Sequence, residues 1–260
     1  MNISPIGIFD SGFGGLSVWR AVRTLLPNES ITYLGDGANC PYGSRSCEEV
    51  VALSEKAVCE LINRGCKIVV IACNTATAAA ASYLRTKYKG IDIVGIEPAV
   101  KPACEQSVSR KIGVLATQRS LEGEHFKRSI AKYSSDVEII AAFGRGFVEL
   151  VEQSRETTPE AEQIVRAIVE PMVKQGVDQI VLGCTHYPFL MPLIERIAPD
   201  VNIIDPSPAV ARRVKQLLTE KELLAPEGSI AEYDFITYAD ESYRKRLKEK
   251  ARESNISDEN

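Results

Sequence analysis

Three short segments concentrate the side chains able to do chemistry: Asp10-Ser11-Gly12-Phe13-Gly14-Gly15, Cys73-Asn74-Thr75 and Cys184-Thr185-His186. The thiolate is the basic and nucleophilic form of cysteine, and a free thiol has a pKa of about 8.5. A cysteine at a strand end just before a helix lies near backbone amides and the positive end of the helix dipole, which favours the thiolate. His186, two residues beyond Cys184, is placed to poise that thiol, and Asp10 to poise Cys73. Two matched acid/base groups suit removal of a proton from one face of a carbon and return of a proton to the other.

Other chemistries fit less of the pattern. Cys73, Cys184 and His186 could ligate zinc, but the usual ligand spacings and a C-x-x-C pair are missing. A Cys-His hydrolase would use one cysteine and one histidine and leave the second cysteine loop unexplained. Gly12-Phe13-Gly14-Gly15 leads into a helical pattern, so its amides suit an anion. It is neither a dinucleotide fingerprint, since Ser17 replaces the last glycine, nor a P-loop, since no Gly-Lys-Ser/Thr follows. A carboxylate-sized ligand is the expectation. Cys59, Cys66 and Cys104 lie in or beside helical patterns and read as packing residues. His125, in a polar helical stretch, reads as a surface residue.

The elements that position these loops are alternating strands and helices. Apolar β-branched runs recur at Ile6–Phe9, Ile31–Leu34, Ile68–Ile71, Ile91–Ile96, Ile112–Leu115, Val137–Ile140, Ile180–Leu182 and Val201–Ile204. Helical stripes lie between them: Val18, Val22 and Leu25; Val50, Ala57, Val58, Leu61 and Ile62; and Ile164, Val165, Ile168, Val169, Met172 and Val173. This is the pattern of βαβ units and mostly parallel sheets covered on both faces. All three reactive loops follow strands, where α/β sheets bind ligands. Lys67–Ala78 and Asp178–Phe189 share one layout of apolar strand, small residue, cysteine and threonine-containing pair. That weak repeat predicts two similar α/β domains rather than one large sheet.

The chain has 260 residues, 45% of them hydrophobic and 25% charged, which excludes wholesale disorder. It has no apolar run long enough for a membrane span and no secretory signal at its start. A net charge of −4 argues against a nucleic-acid partner. Seven cysteines, an odd number, without a signal predict free thiols in the cytoplasm. The charged tail, from Ala251 to Asn260, is expected to fray.

Six segments carry a resemblance over nearly the whole chain: PIGIFDSGFGGLSV (Pro5–Val18), YLGDGANCPYGSRS (Tyr33–Ser46), ACNTATA (Ala72–Ala78), IVGIEPAV (Ile93–Val100), GFVELVE (Gly146–Glu152) and VLGCTHYPFL (Val181–Leu190). In order and spacing they resemble the glutamate racemases of the cofactor-independent aspartate/glutamate racemase superfamily. The resemblance implies interconversion of L- and D-glutamate, supplying D-glutamate for bacterial peptidoglycan. It implies two α/β domains facing each other across an active-site cleft, one made of residues 1–97 and 208–260 and the other of 98–207, usually in a homodimer.

By the same resemblance Cys73 takes the α-proton from D-glutamate and Cys184 takes it from L-glutamate. Asp10 and His186 support the two thiols and face the substrate, and Glu152 is a further carboxylate near the site. Ser11, Tyr42, Gly43, Asn74, Thr75 and Thr185 match positions that hold the substrate's charged groups. Asn74, Thr75 and Thr185 also stand where helix caps are expected. No metal, pyridoxal phosphate or nucleotide is implied. Related folds handle aspartate, hydantoins and malonates, but paired cysteines argue against decarboxylation, which can use one. Some family members bind DNA gyrase, and nothing in this acidic sequence marks such a surface. The chain departs from the family at Gly37, where threonine is commoner, and at Cys40, which is expected to pack.

Overall fold

The computed structural model describes residues 2–133 and 136–253, without the side chains of 124–126, 128 and 129. The expected placement of His125 lies outside these described residues. In chain order the elements are β1 (Ile6–Asp10), α1 (Leu16–Leu25), β2 (Ile31–Gly35), α2 (Cys47–Asn63), β3 (Ile68–Ile71), α3 (Asn74–Lys87) and β4 (Asp92–Gly95). Next come α4 (Val100–Gln106), β5 (Lys111–Ala116), α5 (Gln118–Glu122), α6 (Glu124–Tyr133), β6 (Glu138–Phe143), α7 (Phe147–Glu152), α8 (Pro159–Lys174), β7 (Gln179–Gly183), α9 (Met191–Ile197) and β8 (Asn202–Ile204). The chain ends with α10 (Ser207–Glu220), β9 (Tyr233–Thr237) and α11 (Glu241–Glu253). The fold class is α/β with two parallel sheets. No described helix is long and apolar enough to cross a membrane.

Contacts divide the chain into two compact units, Met1–Ile96 with Ser207–Asn260, and Glu97–Pro206. The first holds a parallel sheet ordered β4-β3-β1-β2-β9. The second holds a parallel sheet ordered β6-β5-β7-β8. Counted from its own first strand, each unit has the same four-strand order, with the first and third strands adjacent at the centre. The chain leaves the first strand in one direction and reaches the third in the other, so the loops after these strands flank a topological switch point.

Local physics explains most elements. Every residue of β1, β3 and β7 is buried, as their continuous apolar runs require. A capping box starts α2: Glu49 N–H donates to Ser46 Oγ while Ser46 N–H donates to the Glu49 carboxylate. Thr158 caps α8, with Pro159 in its first turn. The α8 stripe buries Ala161, Val165, Val169 and Met172 against Leu115, Ile180 and Leu182. Burial of each larger side chain in that stripe contributes about 1.5–3 kcal/mol.

Two expectations need correction. The strand β9 was not among the apolar runs, because Tyr233–Thr237 interleaves Asp234 and Thr237 with its apolar residues. Among the described residues it pairs only with β2, at a sheet edge where one face of the strand can stay polar. The tail does not fray from Ala251, which is buried in the last turn of α11. Residues 254–260 lie outside the described ones.

One buried ion pair ties the first unit together. Lys67 and Glu29 meet at 2.5 Å, each with only 2% of its side chain exposed. Lys67 Nζ also donates to the carbonyls of Asn2 and Leu223, and Glu29 accepts from Ala225 N–H. Both charges thereby hold backbone from two distant segments, the N-terminus at Asn2 and the stretch from Leu223 to Ala225.

Candidate active site

In the first unit, β1 and β3 are parallel neighbours, and Ala72 N–H donates to Phe9 O at 2.8 Å. That register places Asp10-Ser11 and Cys73-Asn74-Thr75 side by side at the carboxyl ends of the two strands. Cys73 Sγ lies 3.6 Å from Ser11 Oγ. Cys73 itself, rather than Asn74 or Thr75, is the N-cap of α3, and its sulfur accepts from Ala76 N–H at 3.5 Å. The amide and the helix terminus both favour a charged sulfur. The cap expected from Asn74 and Thr75 is therefore made by the thiol.

Asn74 and Thr75 are both buried. The Asn74 amide nitrogen and oxygen both lack hydrogen-bond partners among the described residues. A buried amide with neither end satisfied is costly unless a ligand completes it. It offers two donors and an acceptor beside the Cys73 sulfur.

Asp10 is fully buried, and its Oδ1 accepts from Gly12 N–H at 2.9 Å. The Gly-rich loop is less open to an anion than its composition suggests. Gly12 N–H is held by Asp10, while Leu16 and Ser17 N–H bond the loop carbonyls of Phe13 and Gly14. The loop works instead as a close support for Asp10. A Cβ at Gly15 would stand 2.5 Å from Asp10 Cβ and 2.8 Å from Tyr33 Oη. Tyr33 is in turn fixed by donating to Gly12 O. Gly15→Ala is expected to cost about 1–3 kcal/mol of stability as overpacking and to lower activity by displacing Asp10. Urea unfolding and turnover of the same sample check it; a variant with full stability and full rate would contradict it.

Tyr42 and Gly43 lie in a 3₁₀ turn, Tyr42–Ser44, with Tyr42 buried. Its hydroxyl donates to Asp36 Oδ2 at 2.7 Å. Burial, then the Asp36 carboxylate, holds Tyr42 well above its ordinary pKa, so it stays a neutral donor. Asp36 was missed in the sequence reading. It is fully buried, accepts from Asn39 with both oxygens, and its N–H donates to Asp10 O. Its position just past an apolar strand was the available signal. The departure at Gly37 has a physical reason: a Cβ there would lie 2.2–2.5 Å from the Tyr243 ring. Cys40, expected to pack, is half-buried.

In the second unit, Cys184, Thr185 and His186 follow β7 and are all buried. No α-helix starts at Cys184: a 3₁₀ turn, Tyr187–Leu190, comes first, and Tyr187 N–H donates to Cys184 O. The expected helix cap at Thr185 is absent for that reason. His186 Nδ1 lies 3.8 Å from Cys184 Sγ, and its Nε2 lies 2.7 Å from Glu152 Oε1. A carboxylate at Nε2 selects the tautomer protonated there and leaves Nδ1 as the acceptor facing the thiol. Thiol and carboxylate address opposite edges of the imidazole, so these three groups do not converge on one metal ion.

Glu152 is brought to His186 by α7, which starts at Gly146 with φ +83, a backbone that glycine adopts without strain. Tyr187 pins the loop by donating to Gly144 O and stacking edge-on against Phe147. Thr117, also missed, directly follows β5, the neighbour of β7, and is buried; only the sheet order reveals that its loop flanks the same switch point. Of the cysteines read as packing residues, Cys66 and Cys104 lie in hydrophobic cores. Cys66 is buried, and burial pushes its thiol up to about 11. Burial also raises Cys104, and Cys59 is half-buried.

Residues 16–214 match the family described as Asp/Glu/Hydantoin racemase. The chain belongs to that family. Among its relatives, it is 45% identical over 250 residues to the glutamate racemase of Herpetosiphon aurantiacus, covering 96% of this chain and 98% of the relative. Among solved structures, a glutamate racemase isoform from Bacillus anthracis superposes with a TM-score of 0.86 at 32% identity, over 96% of this chain and 94% of that one. The glutamate racemase of Francisella tularensis, in complex with D-glutamate, gives 0.83 at 28% identity, over 96% and 94%.

Proposed function

We propose that this chain interconverts L- and D-glutamate by two-base proton transfer at the α-carbon, without a cofactor. The carrying observation is the matched placement of two cysteines, each just after the third strand of a sheet with the same strand order. Cys184 thiolate takes the α-proton of L-glutamate, and the Cys73 thiol gives its proton to the opposite face, yielding D-glutamate. The reverse reaction swaps the roles. Two thiols are required because one group cannot reach both faces of the carbon.

Asp10 supports Cys73, while His186, held by Glu152, accepts the proton of the Cys184 thiol. Asp10, Ser11, Tyr42, Gly43, Asn74, Thr75, Thr185 and His186 hold the substrate's carboxylates and ammonium. The unsatisfied Asn74 amide supports that part of the reading. The two units act as two domains, residues 1–97 with 208–260 and residues 98–207. The product serves peptidoglycan synthesis in the cytoplasm, with the enzyme a homodimer. Sedimentation tests the dimer, and a gyrase-inhibition assay tests the binding role known in some of the family.

The direct test is incubation with pure L-glutamate in deuterium oxide, following optical rotation and α-deuterium. Decay of rotation to zero with one deuterium incorporated is expected. Activity that dialysis removes and only pyridoxal phosphate restores would refute the reading. A finer expectation concerns Glu152. Glu152→Gln should slow turnover about 10-fold or more, less than loss of a thiol. Enantiomers have equal free energies, so kcat/KM must fall equally in both directions. The asymmetry should appear in isotope effects: larger with L-[2-²H]glutamate, where Cys184 abstracts, and smaller with the D-isomer. Equal changes would show that Glu152 does not act through His186.

A further inference from the structure

The first unit has a second concave site that the proposed reaction does not use. A cavity of about 290 Å³ lies among α1, β9 and α11, walled by Trp19, Arg23, Tyr233, Phe235, Lys248 and Arg252. Among the described residues, every ionisable group on this wall other than the Tyr233 phenol is cationic, and no carboxylate lines it. Lys248 and Arg252 make no ion pair among the described residues. In a chain of net charge −4, three cations around one hollow are a local excess that favours an anion.

The uncharged part of the wall is aromatic. Trp19 packs against Tyr233 and Phe235 at centroid distances of 5.4 and 5.5 Å. The Arg23 guanidinium lies 5.4 and 5.3 Å from the Trp19 and Tyr233 rings. A guanidinium held on aromatic faces keeps its planar fork of N–H donors, which matches phosphate oxygens. Trp19 is 2% exposed, yet its indole N–H, a donor only, has no hydrogen-bond partner among the described residues. The polar groups of this wall, the Tyr233 phenol apart, are donors and not acceptors. The volume sits at the low end for small-molecule pockets, larger than a bare anion needs and small for a dinucleotide.

We propose that this cavity binds an aromatic phosphate monoester, its ring against Trp19, Tyr233 and Phe235 and its phosphate on Arg23, Lys248 and Arg252. The site stands or falls independently of the racemase reading.

Trp19 is the chain's one tryptophan, so its emission reports this wall directly. Titrating the full chain with phenyl phosphate should change that emission saturably. Inorganic phosphate should bind at least tenfold more weakly, and phenol should give no saturation. Lys248→Glu and Arg252→Glu should each weaken phenyl phosphate about tenfold or more, as loss of a charged hydrogen-bond partner does, with racemisation in the absence of the probe unchanged. The proposal is overturned if emission does not saturate, if inorganic phosphate binds as well as phenyl phosphate, or if the charge reversals change nothing. It is also overturned if glutamate competes with the probe, which would place the probe in the substrate site.

Discussion

Replacing either Cys73 or Cys184 by alanine is expected to lower racemisation about 10²–10⁴-fold or more, the usual cost of a well-placed acid/base group. The reaction needs a base on one face and an acid on the other, so neither thiol can substitute for its counterpart. The sharper expectation uses a reaction that needs only one base, elimination from a β-substituted glutamate analogue, read as release of the 2-oxo acid. There the cysteine on the side of the α-hydrogen does the essential abstraction. Cys73→Ala should retain elimination from the L-isomer and lose it from the D-isomer, and Cys184→Ala should do the reverse. Loss of the same isomer in both variants, or full racemisation in either, would refute the two-base assignment. The local settings differ enough to make the test informative: Cys73 caps a helix beside Ser11, whereas Cys184 precedes a 3₁₀ turn and faces a histidine.

The largest stability effect is expected away from the chemistry. Lys67→Met leaves the Glu29 carboxylate buried without its cation and frees the carbonyls of Asn2 and Leu223. Removing one partner of a buried ion pair costs about 3–5 kcal/mol, because the remaining charge is uncompensated. That is a large share of the about 5–15 kcal/mol that holds a typical protein folded. The double change Lys67→Met with Glu29→Leu should recover much of the loss, since no charge is then stranded. Urea denaturation of the two variants decides it. A single variant within about 1 kcal/mol of the parent would show that the carboxylate escapes to solvent.

The difference between what the sequence holds and what folding adds is clear at particular residues. Strand positions such as Ile68–Ile71, and the helical stripe through Val165 and Val169, were legible because burial on both faces, or on one face of a helix, imposes a periodicity that a single chain displays. The three reactive loops were legible because strand ends carry chemistry in this architecture, and the family because six segments keep their order. The local repeat around Cys73 and Cys184 was also visible, since it is a matter of adjacent residues.

Sequence alone could not assign the partners. That Glu152 holds His186 depends on α7 reaching a loop 34 residues further on. That Asp36 lies beside Asp10, and Thr117 beside the Cys184 loop, depends on which strands pair, and strand order is set by packing whole elements rather than by any local pattern. The cap at α3 fell to Cys73 instead of Asn74 because the first helical residue is decided by where β3 stops against β1. Gly37 read as an unexplained departure until Tyr243, two hundred residues away, was seen filling the space a side chain would need. Short-range periodicity is a property of the chain, whereas contacts between distant residues exist only once the sheets and helices have been packed together.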